Sequence, residues 1–378
     1  MKTSVVLGLG YGDEGKGVVV NSLASQSSSA LVIRFSGGHQ CGHTVIHDNV
    51  RHIFSNFGSG TLVDIPTYWS RYCTINPTSI VREYEILVKK GIKPILFIDR
   101  DCPIIIPMDI ASNQLHTNYF RNGTVGVGFG AAIERNEKGY RLVASDMLDK
   151  TLFRTKLSNI NERCYDRTWE EKEFLADVET LNNLSTVTII NDINKLPITN
   201  TTHIICEGSQ GILLDQTFGF FPYVTRANTT SQNMWELFKQ LPINYSDINI
   251  YYVTRCYQTR HGNGPMFPSI PLDQAHAIVD FTNVTNPYQG VLRMSSLSGS
   301  ALNYALDCDA RFISSIVKKK LVITCIDQIE SPFVSWKGTK YQLEPFLKSV
   351  LMKKYNFTNI YQCNSPNGNI TELTYQPF

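Results

Sequence analysis

Long hydrophobic runs are missing from this chain. No apolar stretch approaches the ~18–20 residues that a membrane-spanning helix needs. Charge of one sign is missing as well. Lys and Arg number 35 against 33 Asp and Glu, a net charge of +2, which argues against bulk nucleic-acid binding. The densest basic run, Lys318-Lys319-Lys320, reads as a solvated turn before an apolar strand at Leu321–Cys325. No Cys-x-x-Cys occurs. The nine cysteines are odd in number and widely spaced, which opposes a disulfide framework and a zinc cluster. Reduced thiols in a cytoplasmic protein fit that usage. The N-terminus enters a strand-like segment without a basic-then-apolar leader, so no signal peptide is expected. Internal repeats and low-complexity linkers are also missing.

What is present is an ordinary folded composition, 42% hydrophobic and 18% charged over 378 residues. That length buries a large core. Runs rich in Val and Ile recur at Ser4–Leu9, Ala30–Phe35, Ile92–Ile98, Val187–Ile190, His203–Cys206, Ile248–Val253 and Leu321–Ile326. Short runs without polar alternation predict strands covered on both faces. Helix-like stretches such as Lys16–Ser25 and Thr78–Lys90 lie between them. This alternation predicts an α/β fold: a single large domain over 1–378 with a central, mostly parallel sheet. Gly-rich, P-loop-like loops stand at the strand ends, and smaller excursions at 112–141, 159–184 and 268–298 cover them.

Two loops carry chemistry. "GYGDEGKG" (Gly10–Gly17) follows the first strand and almost spells a P-loop, with Gly10, Gly15 and Lys16 at the expected spacing. Gly17 stands where a magnesium-binding Ser or Thr belongs, and Asp13 and Glu14 lie inside the turn. Glycines here let backbone N–H groups face an anion at a helix N-terminus. A carboxylate beside a phosphate can ligate magnesium or take a proton from a substrate. A tight strand-to-helix turn is the plain structural alternative. The second loop, "RFSGGHQCGHT" (Arg34–Thr44), also follows a strand. His39 and His43 are four apart with Cys41 between them, but the flanking glycines argue against a helix and no second ligand pair follows. His43 as a phosphate-facing acid is the better reading.

"GDEGKG" followed by "GGHxxGHT" resembles the adenylosuccinate synthetase family. Further segments match in order: "GTVGVGFGAA" (123–132), "CEGSQGILLD" (206–215), "FPYVTRANTT" (221–230), "TRHGNGPMFP" (259–268) and "TCID" (324–327). The resemblance spans roughly residues 4–330. It implies a magnesium- and GTP-dependent, homodimeric, cytoplasmic ligase of purine biosynthesis. Such a ligase phosphorylates the 6-oxygen of IMP and then replaces the phosphate with the amine of L-aspartate, giving adenylosuccinate.

Carried over residue by residue, the resemblance implies these roles. Asp13 takes the N1 proton and ligates magnesium. His43 hydrogen-bonds to the 6-oxygen, and Gln210 contacts the purine edge. Gly42 offers its carbonyl to magnesium. Gly12, Glu14, Gly15, Lys16, Gly17 and Thr44 belong to the triphosphate loops (8–18 and 34–46). Asp327 reads guanine in segment 324–327, and the part at 330–378 completes that pocket, with "NSPNGN" (Asn364–Asn369) near the triphosphate's base. Gln40, Thr124 and Thr225 bind the 5′-phosphate in loop 34–46 and segments 123–135 and 206–230. Arg293 and Gln289, with Thr285 and Asn286, serve the amino-acid loop at 283–298.

The departures are specific. Val125 and Val127 replace a Thr and an Arg, Gln40 an Asn, His261 a Val near the ribose, and Cys325 the Lys of the guanine motif. Arg226 stands where Ser is usual and is a candidate to compensate. The family's intersubunit phosphate Arg has no clean match, with Arg135, Lys138 and Arg141 nearby. Only one arginine remains in the amino-acid loop, and Arg260 and Arg226 could add charge if the fold brings them close. The chain is also shorter than full-length bacterial members, mostly after Asp146. One alternative is the same chemistry on dGMP, with ATP as a possible donor, as in phage relatives. Those carry Ser at the loop Asp, so Asp13 favours IMP. The other is a nucleotide-binding sensor without ligase activity.

Overall fold

The computed structural model describes all residues except 121–123, 166–170, 267–277, 279, 281, 284–286, 366 and 374–378. In chain order the strands are β1 Lys2–Gly8, β2 Ala30–Arg34, β3 His43–His47, β4 Val50–Phe54, β5 Thr67–Trp69, β6 Leu96–Asp99, β7 Val187–Ile190 and β8 His203–Glu207. Then come β9 Ile248–Arg255, β10 Tyr257–His261, β11 Leu292–Ser298, β12 Lys318–Thr324, β13 Phe333–Trp336, β14 Thr339–Gln342, β15 Phe357–Cys363 and β16 Thr371–Glu372. The main helices are α1 Lys16–Ser25, α2 Pro77–Lys89, α3 Pro107–Phe120, α4 Phe129–Glu137, α5 Lys150–Cys164, α6 Lys172–Asn183, α7 Gln232–Phe238 and α8 Gly299–Asp309.

One large sheet runs in the order β16-β15-β12-β9-β1-β8-β2-β5-β6-β7. All its described pairings are parallel except β15 with β16. The expected α/β architecture with a mostly parallel sheet is therefore present. β1 lies centrally, between β8 and β9. Val5 and Leu7 enter one core with Ile33, Ile204 and Ile250, while Val6 enters the opposite core with Val19, Val20 and Leu23 of α1. Both faces are covered, so the run needs no polar alternation. Each such fully buried side chain contributes about 1.5–3 kcal/mol.

Parallel strands place their C-terminal ends on one edge of the sheet, which is where ligands of open α/β sheets bind. The loops after β1, β2, β8, β9, β12 and β15 all open there. A second sheet, β10-β11-β13-β14, and the hairpin β3–β4 complete the strands. The hairpin turns at Asp48 and Asn49, both at positive φ (46° and 64°), as a tight two-residue hairpin turn requires.

Three local expectations change. Lys318–Lys320 are not a turn but the start of β12, paired with both β9 and β15. Lys320 fits there because its ammonium lies over the rings of Tyr251 and Tyr361, at 5.0 and 5.5 Å from their centroids. The strand foreseen at Ile92–Ile98 begins only at Leu96, since Pro94 has no N–H to give a ladder. The segment after residue 330 is more than a pocket cover, because β15 is an integral strand beside β12. All nine cysteines are free thiols. Among the described residues, no helix is long and apolar enough to cross a membrane.

Candidate active site

The first loop is folded around its own acid. Glu14 is buried, and its Oε1 accepts hydrogen bonds from the N–H groups of Gly10 (3.0 Å) and Gly12 (2.9 Å). Its Oε2 lies 2.5 Å from the buried Lys16 ammonium. Glu14 therefore braces the turn from inside and pairs the lysine. Gly15, at φ 89°, leads into α1 with no side-chain cap, so the first N–H groups of the helix have no capping side chain. Gly17 explains the missing hydroxyl. A Cβ at that position would lie 3.0 Å from His43 Cβ and 3.1 Å from Ser59 Oγ, so a side chain there would press α1 away from β3.

The same close approaches lock three loops together. A Cβ on Gly12 would meet Gln210 Cα at 3.7 Å, and one on Gly37 would meet Ser209 Cβ at 2.9 Å. A Cβ on Gly211 would lie 2.2 Å from the carbonyl oxygen of Gly10. Asp13, His43 and Gln210 thus stand on interlocked loops at one sheet edge. Asp13 and Gln210 both adopt left-handed backbones, φ 61° and 53°.

Asp13 keeps 27% of its side-chain surface open. Desolvation pushes its carboxyl above the usual range, opposed by Arg255, His261 and Lys16. His43, at the start of β3, places Nδ1 2.6 Å from Oε1 of Glu207, which ends β8. Glu207 also accepts from Ser59, through its N–H (3.0 Å) and its hydroxyl. Burial works against the Glu207 carboxylate, but His43, Arg34 and Ser59 outweigh it and hold it at about 2. Burial pushes His43 down despite Glu207. The arrangement is an ionised carboxylate accepting from the Nδ1–H of a neutral imidazole, which leaves Nε2 for a ligand. Among the described residues no group of three His, Cys, Asp or Glu is placed to hold a metal, so His39, Cys41 and His43 do not form a zinc cluster.

Three segments converge on the N-terminus of α4, whose cap, Gly128, supplies no side-chain hydrogen bond. A Cβ on Gly38 would lie 2.9 Å from Gln40 Oε1 and 3.2 Å from Phe129 Cδ2, which puts Gln40 beside the helix start. Thr124 accepts from Gly126 N–H (3.1 Å) and from the Asn113 amide (3.0 Å) in the loop before α4. Ala227, two residues beyond Thr225, packs with Phe129 and Ala132. Both amide atoms of Gln40, Thr44 Oγ1, Thr74 Oγ1 and Gln210 Oε1 are buried without a hydrogen-bond partner among the described residues. Such orphans are costly, so their concentration at this edge points to a polar ligand.

The basic residues redistribute. Arg293 lies directly opposite Arg260 in the β10–β11 ladder and donates to Gly264 O at 2.9 Å. Arg260 is buried, donates to the carbonyls of Pro265 and Tyr223, and stands 4.4 Å over the Tyr11 ring. Arg226 instead pairs with Glu134 (3.5 Å) and Glu137 (3.1 Å) of α4. Arg135 is committed to buried Asp109 at 3.0 Å, Lys138 to Glu134 at 2.8 Å, and Arg141 stands 3.7 Å from Asp101. Tyr288 packs onto the segment before α4: a Cβ on Gly126 would meet its ring at 2.6 Å. Gln289 is half-buried in the same turn, while Thr285 and Asn286 lie outside the described residues.

Asp327 is exposed, in a short turn just past β12. Thr324, the last residue of that strand, donates to Glu14 O at 2.7 Å and so ties the turn to the first loop. Gly42 is exposed, with the Ile53 side chain beside it: a Cβ there would lie 3.1 Å from Ile53 Cγ2. Sequence reading passed over Glu207, Arg34 and Arg255. The signal was available, since each is a charged residue ending an apolar strand at the ligand edge.

The family model described as adenylosuccinate synthetase matches residues 5–284. The adenylosuccinate synthetase of Buchnera aphidicola is 35% identical over 283 residues, covering 70% of this chain and 64% of that protein. That of Haemophilus influenzae is 31% identical over 287 residues with the same coverages. The chain thus spans just under two thirds of the length of these relatives. In overall fold it resembles the fully ligated adenylosuccinate synthetase of Plasmodium falciparum, with TM-score 0.78, 18% identity, and 98% and 99% of the two chains covered. It also resembles the succinoaminodeoxyadenylate synthetase of cyanophage S-2L, solved with dGMP and dATP, with TM-score 0.68, 13% identity, and 98% and 95% covered. From the extent of the sequence match and the shared fold, this chain belongs to the adenylosuccinate synthetase family.

Proposed function

We propose that the protein is a ligase that uses GTP to phosphorylate the 6-oxygen of IMP and then installs the amine of L-aspartate at C6, giving adenylosuccinate. The observation that carries the reading is the meeting of Asp13, the His43–Glu207 pair and Gln210 on interlocked loops.

Asp13, with its raised proton affinity, accepts the N1 proton, and the 6-oxygen becomes the nucleophile toward the γ-phosphate. His43 presents Nε2 to that oxygen. When Nε2 also carries a proton, Glu207 balances the imidazolium, and the ring stabilises the developing charge. Gln210 holds the purine edge with its unpartnered Oε1. The amine nitrogen then bonds to C6, phosphate leaves with the electrons of the C–O bond, and the proton that the nitrogen gives up passes to water.

The 5′-phosphate rests at the α4 N-terminus with Gln40, Thr124 and Thr225. Gly12, Gly15, Lys16, Gly17 and Thr44 line the triphosphate site, and Asp327 reads the guanine. Lys16 exchanges Glu14 for a phosphate oxygen when the triphosphate enters. Arg293, with Arg260 beside it and Gln289 nearby, takes the aspartate carboxylates. The partly open Asp13 carboxylate and the carbonyl of exposed Gly42 are hard oxygen donors that suit magnesium. Bound there, magnesium supplies charge neutralisation along the triphosphate. The catalytic unit comprises the whole of 1–378 and acts as a cytoplasmic homodimer.

A second reading, the same chemistry on dGMP, draws on the altered surroundings of Asp13, where His261 lies 3.5 Å from Oδ2. The test is aspartate-dependent phosphate release across IMP, dIMP, GMP and dGMP, each with GTP and with ATP. Turnover with IMP and GTP supports the first reading, and turnover with dGMP replaces it by the second. Nucleotide binding without turnover moves the reading to a sensor.

A further inference from the structure

Asp13 is gripped from two sides. Its backbone carbonyl accepts a hydrogen bond from Arg255 Nε at 2.5 Å, in the left-handed conformation that a residue with a Cβ seldom adopts. Its Oδ2 lies 3.5 Å from His261 Nε2. The same nitrogen lies 3.2 Å from Asn283 Oδ1. Asn283 cannot be turned over, because its Nδ2 donates to Asp280 Oδ2 at 2.7 Å. Oδ1 therefore faces the imidazole, so Nε2 carries a hydrogen that it donates to Asn283, with the Asp13 carboxylate beside it at ion-pair distance. Asp280 closes the loop. Its Oδ2 accepts from both terminal nitrogens of Arg255 at 3.4 Å, and its Oδ1 accepts the N–H groups of Thr282 and Asn283 at 2.9 and 3.0 Å.

These contacts form a closed ring, Asp13–His261–Asn283–Asp280–Arg255–Asp13. It joins the first loop to the end of β10 and to the residues that lead into the amino-acid loop. We propose that His261, Asn283, Asp280 and Arg255 are positioning residues that together aim the Asp13 carboxylate, so that the approach to the amino-acid loop and the base are set as one unit. The inference rests on the reading of Asp13 as the base of the ligase. His261 fixes the side chain through Oδ2 and leaves Oδ1 for the purine, while Arg255 fixes the strained backbone. A Val at position 261, as the family resemblance gives, has no N–H for this task.

The test uses His261→Val, His261→Gln, Asn283→Ala and the His261→Val/Asn283→Ala double variant of the full chain. Each is measured by steady-state kinetics and by crystallography. A positioning residue acts on kcat. His261→Val should lower kcat about tenfold or more, with KM for both nucleotides within about twofold. His261→Gln, whose amide N–H reaches a similar place, should recover most of the loss. Residues of one ring act as a unit, so the double variant should lose little beyond the larger single loss. Crystals should show the Asp13 carboxylate displaced in His261→Val and restored in His261→Gln.

Wild-type kcat in His261→Val, equal losses in Val and Gln, or additive losses in the double variant would each overturn the ring. Should His261→Val fail to fold, Asn283→Ala and His261→Gln decide by the same readings. If the wild-type protein releases no phosphate with any tested nucleotide pair, the functional reading fails instead. The crystal comparison still judges the ring, and an unmoved Asp13 in His261→Val rejects it.

Discussion

Nδ1 of His43 and Oε1 of Glu207 lie 2.6 Å apart, with both side chains buried. The contact fixes the ring, its tautomer and the direction of Nε2. Replacing Glu207 by Gln keeps the size and removes the charge that balances an imidazolium. Glu207→Gln should lower kcat about a hundredfold with little change in nucleotide KM, as loss of acid assistance predicts. Steady-state phosphate release measures it. A rise confined to KM would assign Glu207 to binding instead.

Gly17 gives a second prediction. Restoring the P-loop hydroxyl with Gly17→Ser should harm the protein, because the new Cβ would stand 3.0 Å from His43 Cβ and 3.1 Å from Ser59 Oγ. Overpacking of this kind costs about 1–3 kcal/mol. Urea unfolding should show that loss, together with weaker activity from a displaced His43. Unchanged stability would mean that α1 and β3 can separate freely.

Arg293 is the arginine proposed to grip the aspartate, and Arg260 beside it already donates to two carbonyls through its terminal nitrogens. Lysine cannot reproduce a bidentate grip on a carboxylate. Arg293→Lys should raise KM for aspartate about tenfold or more and leave both nucleotide KM values unchanged. An equal rise in nucleotide KM would move Arg293 out of the amino-acid site.

Much of the fold was legible because local chemistry agreed with it. Val187–Ile190 and Lys16–Ser25 were read with the bounds they have, since each is a short apolar run or a helix opened by glycine. The close packing of the Gly-rich loops was legible as well, since glycine content reflects close approach. Non-local pairing was not legible. Arg260 stands opposite Arg293 only because β10 pairs with β11 across some thirty intervening residues. Arg135 was one candidate for the missing intersubunit phosphate arginine, yet it turns inward to Asp109, which lies on a different helix. Asp13 drew attention as an acid in an anion loop, but its ring of partners comes from three separate segments.

Away from the site, His203 is buried with Nε2 2.9 Å from Ser4 Oγ and Nδ1 2.7 Å from Ser27 Oγ. Burial pushes it down from 6.5 to about 4. The unfolded chain therefore takes up this proton first as pH falls. The stability it supports is complete above pH 6.5 and is lost progressively toward pH 4. His203→Gln should be less stable at pH 7.5, and the gap to wild type should narrow between pH 6.5 and 4 in denaturant titrations. A gap that stays constant with pH would contradict a neutral buried imidazole.

The central claim is that Asp13 is the base that makes the purine 6-oxygen a nucleophile. Phosphate release by Asp13→Ala, with IMP, GTP, magnesium and aspartate, tests it most directly beside wild type. Release by the wild type should depend on aspartate. Asp13→Ala should release none detectably, with IMP and GTP still bound. Turnover by Asp13→Ala at the wild-type rate would contradict the assignment.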